Sequence, residues 1–119
     1  MELRFVNTAN MENAAEYLRE ISGGGYDDVF AYAPITPVVE MASDILGRDG
    51  CLSFFAGPTD PTFSARLNYY DVHYNSTHVI GTTGGNTADM LESLALTAAN
   101  RIHPAVMVTH VGGLNCAGE

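Results

Sequence analysis

Basic side chains are scarce in this sequence, and their scarcity excludes whole classes of partner. The 119 residues contain 5 lysines and arginines against 14 aspartates and glutamates, which gives a formal net charge of −9. A charge of this sign repels phosphodiester backbones and anionic lipid surfaces. We therefore expect neither nucleic acid nor a membrane among the partners of this protein.

Long apolar runs and cysteine motifs are also missing. No apolar stretch approaches the roughly 20 residues that cross a bilayer. Met1 is followed at once by Glu2 and Arg4, with no extended apolar region, so we expect no signal peptide. The two cysteines, Cys51 and Cys116, form no CxxC pair. These features predict a cytoplasmic protein with reduced thiols.

The common catalytic motifs are absent as well. The sequence contains no GxxxxGK[ST], GxGxxG, HExxH or GxSxG, so neither a metalloprotease nor a hydrolase is indicated. The glycine turn in "IGTTGGNTADM" is followed by Asp89 and Glu92 at the start of a helix, which disfavours a phosphate cradle. His73 and His78 lie five residues apart in a segment that we predict to be extended, which is poor zinc geometry.

What the sequence has is a regular alternation of strand-like and helix-like segments. Hydrophobic residues make up 46% and charged residues 16% of a chain long enough for one core. The hydrophobic periodicity predicts helices over Met11–Ile21, Pro34–Gly47 and Asn86–Ile102. It predicts strands over Leu3–Asn7, Asp27–Ala33, Cys51–Gly57, His78–Thr82 and Ala105–Val111, with an extended segment over Ala65–Asn75. Strands alternating with helices imply right-handed crossovers and a mainly parallel, Rossmann-like α/β sheet with flanking helices.

The helix ends and faces can also be predicted. Asn10 and Thr36 are N-cap candidates, and the glycines of "SGGG" should end the first helix. The second helix should be closed by Gly47. Its predicted inward stripe is Val38, Met41, Ala42 and Ile45, and that of the last helix is Leu91, Leu94, Ala95, Ala98 and Ile102.

Small residues cluster at three strand ends, in "AYAPIT" (31–36), "FAGPTD" (54–60) and "IGTTGGN" (80–86). Small side chains let a flat ligand approach the backbone, and open α/β sheets bind ligands beyond the carboxyl ends of their strands. Any one of these turns alone is most simply a corner. Three at successive strand ends indicate a binding site, because the fold brings those ends together.

These motifs carry a resemblance to a known family. The generic part is a strand ending in a small residue and proline, then "GRDGCLSFFAG", then "THVIGTTGGN" before a helix; "FAGPTD" with "VHYNSTH" is more specific. Together they resemble the nucleotide-binding domain of medium-chain, zinc-type alcohol and polyol dehydrogenases, closest to the sorbose-1-phosphate reductase group. The resemblance implies that residues 1–119 are a partial nucleotide-binding domain, without the first two strands, the GxGxxG turn or the zinc-ligand domain.

The resemblance also implies roles for the strand ends. It assigns NAD or NADP contacts to Ala33, Pro34, Ile35, Ala56, Gly57, Pro58, Thr82, Thr83 and Gly84, which would form the nicotinamide-side wall of the cofactor site. It assigns no catalytic residue and no metal ligand to this chain. Without a pyrophosphate-binding turn, we expect dinucleotide affinity to be weaker by about 10²–10⁴-fold, or absent. The zinc of the full-length family is not expected to bind here.

The two strands that this chain lacks, compared with the family, indicate what its partners should be. A missing neighbour opens an edge of the sheet, and open apolar edges invite pairing. We expect a homo-oligomer formed through sheet edges, or an N-terminal partner chain. The leading interpretation is part of an alcohol or polyol (sugar-phosphate) oxidoreductase that is inactive alone. The alternatives are one half of a split dehydrogenase and a non-catalytic α/β self-association module.

Overall fold

The computed structural model describes residues 3–116 and divides them into two compact units, with the boundary between Thr83 and Gly84. The first unit contains helices α1 (Ala14–Ser22), α2 (Thr36–Asp44) and α3 (Tyr69–Tyr74) and strands β1 (Tyr26–Ala31), β2 (Leu46–Phe54) and β3 (His78–Gly81). The second contains helix α4 (Thr87–Ala98) and two 3₁₀ turns, Pro104–Met107 and Leu114–Cys116. No helix among residues 3–116 is long and apolar enough to cross a membrane.

The three strands form one parallel sheet in the order β1-β2-β3. Ala31, Phe54 and Gly81 stand side by side at its carboxyl edge. Each pair of neighbouring strands is joined through helical connections, as parallel pairing requires. The predicted α/β class, with a parallel sheet and flanking helices, is therefore confirmed.

The hydrophobic core lies between α2 and one face of this sheet. Leu52 is fully buried at its centre, and the buried cluster consists of Ala31, Val39, Ala42, Leu46 and Leu52. The predicted stripe of α2 is correct at Ala42 and Ile45, whereas Val38 and Met41 are only half-buried. Within α2 the buried side chains are Val39 and Ala42, which lie three residues apart on one helical face, and burial continues at Ile45 after the helix and at Leu46, the first residue of β2.

The end of α1 agrees with prediction, and its start does not. Gly23 caps the helix in the left-handed conformation, with φ of 80°. Asn10 was predicted as the N-cap, but α1 begins after Asn13. The residues before it are held in local turns, in which Ala9 N–H donates to Asn7 Oδ1 over 3.0 Å. These turns compete with helix formation, so the first predicted turn of the helix is lost.

The boundaries of α2 differ from prediction for a similar reason. The N-cap is Ile35, and Thr36 is the first helical residue. The hydroxyl of Thr36 donates to the carbonyl oxygen of Ser64 over 3.0 Å instead of capping the helix. Gly47 was predicted to close the helix, but α2 ends at Asp44 and Gly47 already lies in β2.

Arginine 19 attaches α1 to the rest of the first unit. None of the residues of α1 is buried. Arg19 Nη1 donates to the carbonyl oxygens of Asp44 over 3.0 Å and Leu46 over 2.9 Å, where α2 ends and β2 begins. No basic residue lies in the last turn of α2, so Arg19 supplies the positive charge that favours a helix C-terminus.

A close approach of two glycines connects β1 and β2. Gly25, with φ of 139°, lies against Gly47 so tightly that a Cβ on Gly25 would stand 2.6 Å from Gly47 Cα. The pairing register is irregular here, because Tyr26 pairs with Leu46 and Asp28 with Cys51. β2 has three more residues than β1 between these two pairs, and Asp49 among them has φ of 60°.

Two predicted strands are not formed. Leu3–Asn7 is not a strand, and its Leu3 and Phe5 side chains are exposed. Ala105–Val111 was predicted as the last strand, but the chain forms the 3₁₀ turn Pro104–Met107 there. Both segments have the composition of strands, but neither pairs with a strand of the sheet. A strand forms only where a neighbouring strand is available.

The segment predicted to be extended is partly helical. Within 65–75, residues Tyr69–Tyr74 form α3, and the side chain of Asn68 caps it by accepting from Tyr70 N–H over 3.0 Å. Asp71 then binds the side-chain amides of Asn68 and Asn75. His73 lies in this helix, so the prediction that His73 and His78 lie in one extended segment is wrong.

The second unit is built around α4. The helix is confirmed, and Asn86 caps it. Its predicted stripe is not buried, because no residue of α4 is buried and Leu91 and Leu94 are exposed. About 30 described residues are too few to enclose a core of their own.

Candidate functional site

The predicted site lies where the three strands end. Because Ala31, Phe54 and Gly81 are neighbours in the register, the loops that follow them start at the same edge of the sheet. Open α/β sheets bind ligands beyond this edge. The first residues of the three small-residue segments are therefore side by side at this edge.

Backbone hydrogen bonds hold the starts of these loops together. The carbonyl oxygen of Ala31 accepts from both Phe55 N–H and Ala56 N–H over 3.0 Å, and Ala56 is buried. Thr82 N–H donates to the carbonyl oxygen of Phe54 over 3.4 Å. The first residues of the second and third loops are thus fixed against the preceding strand.

Eight of the nine predicted cofactor residues lie in the first unit. Ala33–Ile35 follow β1, Ala56–Pro58 follow β2, and Thr82 and Thr83 follow β3. The ninth, Gly84, begins the second unit. Ile35 N–H donates to the carbonyl oxygen of Ala33 over 2.9 Å, which makes the first loop a tight turn. A Cβ on Gly57 would meet no atom within 4 Å, so the second loop has open space beside its backbone.

The glycine turn after β3 leads into a capped helix. Asn86 Oδ1 accepts from Ala88 N–H over 2.7 Å and from Asp89 N–H over 3.3 Å, and Asp89 Oδ2 accepts from Asn86 N–H over 2.7 Å. These bonds satisfy the first amides of α4 and place a carboxylate at its N-terminus. A phosphate would meet a negative charge there.

Metal ligands are not grouped in the described structure. Among residues 3–116, no three histidine, cysteine, aspartate or glutamate side chains are placed so that they could hold a metal ion. His78 Nε2 instead pairs with Asp49 Oδ1 over 3.0 Å on the surface. The described residues therefore do not fit a zinc ion.

The structure shows an aromatic cluster at the site that sequence reasoning missed. The rings of Phe30 and Tyr32 are stacked with centroids 6.4 Å apart, and Tyr32 meets Phe55 edge-on at 5.7 Å. All three side chains are exposed. Phe30 and Tyr32 stand two residues apart along the chain, so a period-two aromatic pattern at the strand end was the available signal.

An apolar cavity and an ion pair lie on the α2 side of the sheet. The cavity has a volume of about 230 Å³ and is lined by residues that include Val39, Leu52, Phe54, Phe63 and Val79. Beside this region, Arg66 Nη2 lies 2.9 Å from Glu40 Oε2, and Arg66 Nε donates to Glu40 Oε1 over 3.2 Å. The side-chain hydrogen bond from Arg66 is the main cause of the lowered pKa of Glu40.

Comparison with known proteins shows which proteins are similar to this chain. No family model matches the chain. Over 118 residues, or 98% of the chain, it is 53% identical to mannitol-1-phosphate 5-dehydrogenase of Aliivibrio fischeri. Over 109 residues, or 91% of the chain, it is 50% identical to L-sorbose 1-phosphate reductase of Klebsiella pneumoniae. The chain spans only 28% and 27% of the length of these two proteins.

A solved structure gives the same result at the level of the fold. The crystal structure of an alcohol dehydrogenase zinc-binding domain protein from Burkholderia ambifaria superposes with a TM-score of 0.70 at 20% sequence identity. The superposition covers 81% of this chain and 26% of that one. The resemblance predicted from the strand-end motifs is confirmed: nearly the whole chain is similar to part of two sugar-phosphate dehydrogenases, and its fold is similar to that of a zinc-type alcohol dehydrogenase.

Proposed function

We propose that this chain supplies the nicotinamide-side wall of the cofactor site in an NAD(P)-dependent alcohol or polyol oxidoreductase. The single observation that carries the proposal is the alignment of three small-residue loops at the carboxyl edge of one parallel sheet. The identity of 50–53% to a mannitol-1-phosphate dehydrogenase and a sorbose-1-phosphate reductase supports sugar phosphates as the substrate class of the whole enzyme.

The loops fit one side of a flat ring. Ala33, Pro34 and Ile35 would lie beside the ribose, and Ala56, Gly57 and Pro58 beside the nicotinamide. Thr82, Thr83 and Gly84 would offer backbone groups to the carboxamide. Open space at Gly57 supports this placement, because a ring can approach the backbone where no side chain stands. When bound, the dinucleotide supplies the hydride donor or acceptor, and the loops only orient it.

The chain alone should not catalyse the reaction. It contains no GxGxxG turn for the pyrophosphate, and the N-terminus of α4 carries Asp89. Its described residues group no metal ligands that could polarise an alcohol or a carbonyl. We therefore expect the dissociation constant for a dinucleotide to lie far above the low-micromolar range, and we expect no turnover.

Titration of the chain with NADH and NADPH, followed by calorimetry and by backbone NMR shifts, tests this function. At millimolar dinucleotide we expect shifts at 33–35, 56–58 and 82–84. Gly57→Val should abolish these shifts without unfolding the protein, since its Cβ has room. Ala9→Val, at an exposed position away from the strand ends, is the matched control. Shifts confined to other surfaces would refute the cofactor wall. Low-micromolar binding, or turnover of a polyol by the purified chain, would refute the expectation that the chain is inactive alone.

Two alternative functions can be separated from this one. A split dehydrogenase would gain activity when an N-terminal partner chain is added. A non-catalytic self-association module would bind no dinucleotide but would assemble with itself. The open outer edges of β1 and β3 within the described sheet favour pairing of copies through sheet edges.

Sedimentation of the chain over a hundredfold range of concentration tests this homo-oligomer, and a monomer at every concentration would contradict it. The cytoplasm remains the proposed compartment, since Cys51 and Cys116 are free thiols in the structure.

A further inference from the structure

Residues 63–67, which we call the strap, lie between β2 and α3 and are not part of the described sheet. Phe63, Ala65 and Leu67 are half-buried, whereas Ser64 and Arg66 between them are exposed. Such an alternation is that of an extended chain with one face turned inward. The strap therefore has an apolar inward side without being held in place by strand pairing.

Three contacts hold the strap against α2 and the end of β2. The ring of Phe63 stacks on that of Phe54, with centroids 6.0 Å apart. The hydroxyl of Thr36 donates to the carbonyl oxygen of the next strap residue over 3.0 Å. Arg66 N–H donates to Glu40 Oε1 over 3.1 Å, in addition to the ion pair between the two side chains. Because each contact involves a side chain, a single substitution can loosen the strap without removing hydrogen bonds of the sheet.

The apolar cavity of about 230 Å³ is bounded by the inward side of the strap. The three half-buried strap residues form one wall, and Val39 of α2 and Val79 of β3 contribute to the others. Among the described residues that line the cavity, only Ser64 has a polar side chain. Val79 is 47% exposed, so the cavity is open to solvent at β3. A molecule can therefore reach this apolar space from outside.

The size and chemistry of the cavity restrict what can fill it. A sphere of this volume is about 8 Å across, whereas an α-helix with its side chains is about 10–12 Å wide. A partner helix therefore does not fit inside. Water finds few hydrogen-bonding partners on apolar walls, and an apolar cavity of about 150 Å³ admits benzene. A single uncharged ring fits both the size and the chemistry of this space.

We propose that this cavity is a binding site for a small apolar molecule of the size of one aromatic ring, and that the strap closes over it. The ion pair of Arg66 with Glu40 holds Ala65 and Leu67 against the bound ring. The site does not rest on the proposed function, because the cofactor wall is formed by the loops beyond the strand ends and the cavity lies between the strap, α2 and the sheet.

Titration of the chain with benzene, followed by methyl NMR shifts, tests the site. A ligand of six heavy atoms that binds with ordinary efficiency has a dissociation constant of about 1 mM. We expect saturable shifts at the methyl groups of Val39, Leu52 and Val79 with benzene, and none with mannitol. Ala65→Leu, which fills the cavity from the strap, should abolish these shifts. Ala9→Leu adds the same atoms at an exposed position and should retain them.

The role of the strap has a test of its own. Arg66→Gln removes the ion pair and should weaken benzene binding by about two- to fivefold, because an exposed pair contributes only a small free energy. Arg48→Gln, at an exposed arginine outside the strap, is the matched control and should leave the affinity unchanged. Equal affinities of the original chain and Arg66→Gln would overturn the closing role of the strap.

Other results would overturn the site itself. Benzene shifts that do not saturate, or that persist in Ala65→Leu, would do so. Shifts of the same methyl groups that grow with protein concentration in the absence of benzene would show that a second copy fills the cavity. Displacement of benzene by NADH would make the cavity part of the cofactor site. If Ala65→Leu does not fold, Ala65→Val must weaken binding, and unchanged binding there would refute the inference.

Discussion

The contact between Gly25 and Gly47 leads to a prediction that isolates one steric clash. Gly24 and Gly25 are neighbours with nearly equal φ values, 135° and 139°, in a region that L-residues rarely adopt. A Cβ on Gly24 meets nothing within 4 Å, whereas a Cβ on Gly25 stands 2.6 Å from Gly47 N and Cα and 2.8 Å from the carbonyl carbon of Leu46. That contact is therefore the main steric difference between an alanine at Gly24 and an alanine at Gly25.

The expected magnitudes follow from two separate effects. Backbone strain at such a φ costs about 1–3 kcal/mol for either alanine. Overpacking at Gly25 adds about 1–3 kcal/mol, and more if the backbone of β2 cannot move. The alanine also restricts the unfolded chain, but by the same amount in both variants, so this effect cancels. We expect Gly25→Ala to unfold more easily than Gly24→Ala by at least about 1 kcal/mol.

Hydrogen exchange of the β2 amides measures this difference within the first unit alone. The slowest amides, around the fully buried Leu52, report the free energy of opening the sheet. Equal losses of protection in Gly24→Ala and Gly25→Ala would refute the reasoning. The close approach of β1 and β2 would then not constrain the fold.

Three further predictions concern the core, a helix cap and an ion pair. Leu52→Ala should lower the free energy of unfolding of the first unit by about 2–5 kcal/mol, measured by urea denaturation, since Leu52 is fully buried. Asn86→Ala should weaken α4 by about 0.5–2 kcal/mol, seen as faster exchange of its first amides, because the cap bonds are lost. Arg66 lowers the pKa of Glu40, so the stability that this pair contributes is present above the unfolded pKa of the glutamate and is lost as the pH falls through the folded value. In Arg66→Gln the pKa of Glu40, followed by carboxyl NMR, should rise toward its ordinary value, and an unchanged pKa would contradict the assignment.

Local patterns predicted the elements at the centre of the first unit, although not the point at which α2 ends and β2 begins. The helix α2, the strands β1 to β3 and the Gly23 cap all follow from periodicity and turn chemistry, and the parallel pairing follows from their alternation. Prediction failed at Leu3–Asn7 because strand formation depends on a neighbour, which the sequence of one segment cannot supply. It failed at 69–74 because the tyrosines favour a strand, while the cap of Asn68 and the side-chain bonds of Asp71 favour a helix.

The site, like the fold, could be predicted only in part. The meeting of the loops after Ala31, Phe54 and Gly81 could be predicted, because carboxyl ends of parallel strands always share one edge. The stacking of Phe30 on Tyr32 could have been predicted from their spacing, but the contact of Tyr32 with Phe55 could not, because it depends on how two loops leave the sheet. The hydroxyl of Thr36 was likewise predicted to cap a helix, but it donates to the carbonyl oxygen of Ser64, a contact that local sequence does not indicate.

The two hydrogen bonds of the Arg19 guanidinium connect α1 to the rest of the first unit. No residue of α1 is fully buried, although Leu18 and Ile21 are half-buried, so these two hydrogen bonds and partial apolar packing hold the helix in place. Its release should then precede the opening of the sheet. Brief trypsin digestion should consequently nick the chain after residue 19 before it cuts within β2, and the sheet should outlast the loss of its leading segment.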